Sequence, residues 1–83
     1  AYFNLGYIHI ELGLHQEAVA YFNRAIEADD RYYQAYYGRG YSLESLSKFE
    51  EAKLNYETAL NINMDYQPAK DALFRVSQIL EKY

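Results

Sequence analysis

The sequence predicts an all-α protein of five antiparallel helices built from a repeated pair, on three observations. The chain matches itself at an offset of 34 residues. At that offset Ala1 meets Ala35, Tyr2 meets Tyr36, Gly6 meets Gly40, Tyr7 meets Tyr41 and Leu12 meets Leu46. Glu17/Glu51, Ala18/Ala52, Ala25/Ala59 and Tyr32/Tyr66 complete nine identities in the 32 pairs between residues 1–32 and 35–66. Phe3/Tyr37, Phe22/Tyr56 and Ile26/Leu60 are conservative pairs. Second, apolar residues recur every three or four positions, and no useful stretch alternates with period two. Third, the connections are short, about two to five residues, which makes successive helices antiparallel neighbours. A third pass opens at Ala69, continues through Leu73 and Leu80, and reaches Tyr83. The expected organisation is one domain over 1–83: unit one 1–32, unit two 33–66, and a half unit or capping helix 67–83.

Each element has a local reason. In the first helix Tyr2, Leu5, His9 and Leu12 share a face, and Gly13 ends the run as a helix C-terminal glycine does. Ala18, Phe22, Ala25 and Ile26 mark the second helix. Asp29-Asp30 breaks the pattern and is expected to cap the third helix, from about Tyr33 to Leu46. After a turn at Ser47-Lys48, the fourth helix carries Phe49, Ala52, Tyr56, Ala59, Leu60 and Ile62. Asn63-Met64-Asp65 closes it, with Asp65 expected as N-cap of the fifth helix and Pro68 tolerated in its first turn. Gly6, Gly40, Ala18, Ala52, Ala25 and Ala59 let helix axes approach, and Tyr2, Tyr36, Phe22 and Tyr56 are expected to fill the gaps. A large residue at Ala18 or Ala52 overpacks the pair at roughly 1–3 kcal/mol.

Composition narrows the function. The 83 residues hold 8 Lys+Arg against 12 Asp+Glu, a net charge of −4. That balance argues against unaided nucleic-acid or anionic-membrane binding. No apolar run approaches the roughly 20 residues of a membrane span, and no signal peptide is visible. Cysteine is absent, so there is neither disulfide nor thiolate metal site; this fits cytoplasm and periplasm alike, the cytoplasm being the default. The chain opens on Ala rather than Met, as a processed product or a piece of a longer chain does. The anomaly is tyrosine: 11 residues, five of which (Tyr32, Tyr33, Tyr36, Tyr37 and Tyr41) lie within ten positions. They point several ways around one helix axis, so not all of them serve the core.

The pattern resembles the tetratricopeptide repeat, whose 34-residue helix–turn–helix units carry an aromatic, a Leu-Gly pair and a Tyr, then Ala, an aromatic and Ala. Unit one reads Tyr2, Leu5-Gly6, Ala18, Phe22, Ala25; unit two reads Tyr36, Arg39-Gly40, Ala52, Tyr56, Ala59. The departures are Tyr for Trp, His9 and Leu43 for Tyr, and Asp30 and Met64 for Pro. Arg39 stands for Leu, and is expected to snorkel or pair with a carboxylate. Phe74 stands where the other units have Gly6 and Gly40, which favours a terminal capping helix. The resemblance implies a right-handed superhelix whose first helices line a concave groove for a partner protein's peptide or helix. By position the groove wall holds Phe3, Asn4, Tyr7, Glu11, Gln34, Tyr37, Gly38, Tyr41, Glu44, Asp71, Ala72 and Arg75.

Within that wall Phe3, Tyr7, Tyr37 and Tyr41 form an aromatic stripe, the kind of surface that marks an interaction site. One subfamily clamps the acidic C-terminal tail of heat-shock chaperones with Lys/Arg and Asn. The clamp positions here hold Phe3, Tyr7, Gly38, Pro68 and Ala72, so that partner is not expected. Glu11, Glu44 and Asp71, against Arg75, favour an apolar peptide with a basic residue. A related 35-residue repeat that reads single-stranded RNA is disfavoured by the period and the charge. No metal site or cofactor is expected: His9 reads as a packed residue and His15 as a turn residue, with no metal-binding spacing. Asp29-Asp30 and Glu50-Glu51 are adjacent pairs that diverge around a helix, so no catalytic residue and no enzyme is expected. The alternative function is a structural segment of a longer solenoid, or a self-association module forming a homo-oligomer.

Overall fold

Two aromatic rings and three glycines set the spacing of the helices. In the computed structural model, which describes residues 1–82, the elements are α1 (Tyr2–Glu11), α2 (His15–Ala28), α3 (Tyr33–Ser45), α4 (Phe49–Ile62) and α5 (Gln67–Lys82). Tyr83, the end of the expected half unit, lies outside the described residues, among which there is no strand. The Phe22 ring of α2 is fully buried. It is held between Gly6 of α1 and Gly38 of α3, where an added Cβ would stand 2.7 Å and 2.5 Å from ring carbons. Tyr56 of α4, also fully buried, takes the same place against Gly40, at 2.7 Å. Absence of a side chain at these positions is what lets a whole ring sit between two backbones.

The turns repeat as closely as the helices. Gly13 has φ +78° and Ser47 φ +63°, 34 positions apart. The same two bonds close both turns: Gly13 N–H to Ile10 C=O at 2.9 Å and Leu14 N–H to His9 C=O at 2.8 Å, then Ser47 N–H to Glu44 C=O at 2.9 Å and Lys48 N–H to Leu43 C=O at 2.8 Å. Each satisfies helix-end carbonyls through one left-handed residue. The other two turns also match. The Asp29 side chain accepts from Arg31 N–H at 3.0 Å, and Asn63 accepts from Asp65 N–H at 3.2 Å. This corrects the expected caps. Asp29 closes α2, and Tyr32 stands at the N-terminal boundary of α3 with no side-chain cap. Tyr66, not Asp65, accepts the first backbone bonds of α5, from Ala69 and Lys70. Asx turns use the acid or amide locally, so it is not free to cap the next helix.

Sequential helices pack side by side, and α1 also meets α3, as α3 meets α5, whereas α2 and α4 do not meet. The first helices of the units therefore form an inner row, and the outer row is splayed open. One core cluster joins Ala18, Phe22 and Ala25 to Ala35, with Phe3, Tyr7 and Tyr32 against it. The other joins Leu43, Ala52 and Tyr56 to Ala72 and Val76 of α5. Tyr2 and Tyr36 do not fill the core as expected. Tyr2 is 41% exposed, stacked on Tyr21 with Arg24 over its ring; half-buried Tyr36 donates its hydroxyl to Asp30 C=O at 3.0 Å. The glycines already give each unit one ring's worth of space, and Phe22 and Tyr56 occupy it.

Candidate functional site

The inner row presents a face lined by aromatic rings. Phe3 stacks on Tyr32 at 4.7 Å between centroids and meets Tyr7 edge-on at 5.0 Å. Tyr66 stands edge-on to Tyr33 at 4.9 Å and to Tyr37 at 5.7 Å. The Tyr7 and Tyr37 rings rest on the core rings Phe22 and Tyr56, at 5.3 Å and 5.8 Å. Burial pushes the Tyr7 phenol up, and the neighbouring phenols of Tyr66, Tyr37 and Tyr32 push it further. Burial also raises Tyr37 and Tyr66. The face is thus neutral at physiological pH and carries hydroxyls on rings that already pack against one another.

An ion pair stands on the side of α5. Arg75 grips Glu44 with two bonds of 2.8 Å, Nε to Oε2 and Nη2 to Oε1, and the buried Tyr56 hydroxyl donates to Oε1 at 2.8 Å. Burial alone pushes the Glu44 carboxyl up, but the bonds from Arg75 and Tyr56 and the Arg75 charge outweigh it and hold the group below the ordinary carboxylate value. The bond to Glu44 raises Arg75, and burial followed by the Glu44 bond raises Tyr56. This network ties α3, α4 and α5 together. It also engages Glu44 fully, while Asp71 accepts from Gln67 at 2.8 Å.

The sequence-expected wall divides in three. Phe3, Tyr7, Tyr37, Glu44 and Arg75 come together on this face through the contacts above. Asn4, Glu11 and Asp71 are exposed beside it, Gln34 is half-buried, and Tyr41, 39% exposed, stands by His15 with its ring centroid at 6.5 Å. Gly38 and Ala72 are not groove wall: both are buried, Gly38 beneath the Phe22 ring and Ala72 in the second core cluster. His15 is the first residue of α2 and not a turn residue, and His9 lies over Tyr21 at 4.7 Å with Nδ1 2.8 Å from Leu5 C=O. The positional carry-over misses Tyr32, Tyr33 and Tyr66, which come from the α2–α3 and α4–α5 turns and the start of α3. The Tyr32/Tyr66 identity at the repeat offset is the signal that finds two of them. Among the described residues no three His, Cys, Asp or Glu side chains gather as a metal set, and no helix is long and apolar enough to cross a membrane.

Comparison with known proteins gives this geometry a context. The family model of the tetratricopeptide repeat matches residues 1–32 and 33–66. The first tetratricopeptide domain of Spaghetti (RPAP3), bound to the HSP90 peptide SRMEEVD, superposes with a TM-score of 0.94 at 30% identity, covering 96% of this chain and 64% of that one. The first such domain of human RPAP3, solved by NMR, gives 0.94 and 30% over 98% of this chain and 64% of that one. The chain therefore spans less than two thirds of either solved domain. A UDP-N-acetylglucosamine–peptide N-acetylglucosaminyltransferase of Giardia intestinalis is 30% identical over 79 residues, 95% of this chain but 5% of that enzyme.

Proposed function

We propose, because the chain belongs to the tetratricopeptide-repeat family, that it is a protein-interaction module whose inner row holds an extended or helical segment of a partner protein. The observation that carries the reading is the aromatic face from Phe3 and Tyr7 to Tyr37 and Tyr66. Tyrosines held by their neighbours offer area and hydroxyls with little rotamer freedom left to lose on binding. The ligand is an apolar segment carrying a basic residue, whose charge meets Glu11 or Asp71. The acidic chaperone tail seen on the RPAP3 domain is the wrong chemistry for a face with Phe3, Tyr7, Pro68 and the buried Gly38 and Ala72 at the clamp positions. Phe74, 66% exposed, stands where Gly6 and Gly40 admit a ring, so α5 does not offer a neighbour the close approach that α1 and α3 offer α2 and α4.

A displayed peptide library selected on the 83-residue chain tests this. Enriched peptides should combine aromatic or aliphatic residues with Lys or Arg. They should lose affinity for Tyr41→Ala/Glu11→Lys/Asp71→Lys, three exposed substitutions that leave the core intact. Enrichment of acidic C-terminal peptides, or equal binding to the variant, sinks the reading.

One observation favours the structural alternative. Ala35, Gly38 and Ser42 of α3 are buried, the first two against α2; their counterparts Ala1, just before α1, and Asn4 and Ile8 on it are exposed, Ile8 by 47%. With Leu5 and Leu12 this is a face shaped for a preceding helix or a second copy. Sedimentation of the chain and of Ile8→Glu over a range of concentrations separates the readings: association lost in the variant assigns the face to self-association.

A further inference from the structure

We propose that the cleft between α2 and α4, on the side opposite the aromatic face, binds an acidic side chain of a partner protein through the Arg39 guanidinium. Because the outer helices do not meet, they leave a cavity of about 370 Å³ over α3, lined among others by Asn23, Arg39, Leu54 and Asn55. Arg39 is fixed in it. Its Nε donates to Asn55 Oδ1 at 2.6 Å and its Nη1 to Asn23 Oδ1 at 2.9 Å, while its guanidinium lies over the Tyr36 ring at 5.3 Å. Asn55 is itself buried and anchored, donating Nδ2 to Glu51 C=O at 2.8 Å. The guanidinium is thus oriented before any ligand arrives, which lowers the entropic cost of using it.

Both acceptors are neutral amides. Nη2 has no acceptor among the described residues, and the one ion pair among them is Arg75–Glu44. Burial lowers the Arg39 pKa, and the one influence that opposes it comes from the Tyr36 phenol, not from a carboxylate. A half-buried cation in a rigid amide cradle, with one face of its fork open to a cavity, is the arrangement that a carboxylate completes by charge-assisted bonds. A single cation, Glu51 at the rim and a net charge of −4 favour a monoanion over a phosphate. Leu54, 63% exposed in the same cleft, receives the stem of the acidic side chain or an apolar neighbour.

The test is an NMR titration of the 15N-labelled chain with acetyl-Glu-Leu-amide, acetyl-Gln-Leu-amide and inorganic phosphate. The Glu peptide should shift the Arg39 Nε–H and the Asn23 and Asn55 side-chain amides saturably, with Kd on the order of millimolar, and the Gln peptide should not. Arg39→Met should weaken binding at least about tenfold, the loss of one charge-assisted bond. Because that variant also releases two asparagines, Asn23→Asp is the second arm. It places an internal carboxylate on the guanidinium at an exposed position, and should abolish peptide binding while raising Tm. Equal shifts with the Gln peptide, tighter saturation by phosphate, no localised shift, or full binding by Asn23→Asp each overturn the proposal.

Discussion

Gly38→Ala puts one methyl group into the most constrained contact of the fold. Its carbon would lie 2.5, 2.7 and 3.0 Å from three carbons of the Phe22 ring. The ring cannot retreat, because on its other side Gly6 is as close, with an added Cβ at 2.7 to 2.9 Å. Overpacking of this kind costs about 1–3 kcal/mol. Alanine also gains about 1 kcal/mol over glycine inside a helix, so the two effects oppose. The geometry decides between them: the obstruction is a fully buried ring and not the end of a flexible chain, so the net effect is destabilising by about 1–2 kcal/mol. For a domain this size that lowers Tm by roughly 5–15 °C.

The assay is a double-mutant cycle by urea and thermal unfolding, with Gly38→Ala made in the wild-type chain and in Phe22→Leu. Phe22→Leu is destabilising by itself, but it removes the carbons that the new methyl strikes. In that background Gly38→Ala should become neutral or stabilising by up to about 1 kcal/mol, the helix-propensity gain alone. The reversal of sign is the signature of the ring. A Gly38→Ala that is stabilising in the wild type, or costs the same in both backgrounds, would refute the reasoning.

Raising pH should unfold the protein cooperatively. Tyr7, Tyr37, Tyr56 and Tyr66 are raised above 10.0 by burial first, so their stabilisation is intact below the unfolded value and is lost as pH rises beyond it toward their folded values. Between its unfolded and folded values each fully buried phenol that must ionise opposes folding by up to about 1.4 kcal/mol per pH unit, and the more exposed Tyr37 and Tyr66 by less; tyrosinate absorbance and far-ultraviolet circular dichroism should change together, and independent titration with helix retained would contradict this. At the acid end the sign is opposite. Glu44 is held below 4.5, so its contribution is present above that value and fades as pH falls through the folded pKa, a dependence that Glu44→Gln should remove from the acid limb of a pH–stability profile. Ser47→Gly relieves a left-handed residue at φ +63° and should stabilise by about 1 kcal/mol; no gain in the urea midpoint would count against the turn assignment.

How much was legible in the sequence depends on which residues repeat. The helices, the glycine turn and the small-residue contacts follow from apolar spacing and the 34-residue offset, both properties of a single chain read against itself. The N-caps expected at Asp29-Asp30 and Asp65 differ from the structure because such residues look like caps in any sequence, and only the Asx turns show that Asp29 and Asn63 bind the backbone two residues on. Of the site, the inner-row positions on α1 and α3 were readable by period, whereas Tyr32 and Tyr66 reach the face from turns, where period says nothing about direction. Arg39, expected to snorkel or find a carboxylate, reaches the open cleft with its head group but is held there by amides. Its partners Asn23 and Asn55 each lie 16 positions away, on two other helices, a distance at which no local rule pairs side chains.

The repeat offset also explains why Tyr56 carries a hydroxyl where its counterpart Phe22 does not. Position 10 pairs with position 44, as position 22 pairs with position 56. In unit one both are apolar, and Ile10 packs on the Phe22 cluster. In unit two both are polar, and Tyr56 donates to Glu44 at 2.8 Å from a fully buried position. The pair has changed together, and the change places an acid where Arg75 of α5 can grip it. Glu44→Ile by itself should therefore cost about 1–3 kcal/mol, because it strands a buried phenol. Adding Tyr56→Phe restores the pair of unit one, and the loss should shrink to the about 0–1 kcal/mol of a partly exposed ion pair. A coupling of about 1–2 kcal/mol in urea unfolding is the expected result; additivity within roughly 0.5 kcal/mol would mean that the hydroxyl and the acid were never one unit.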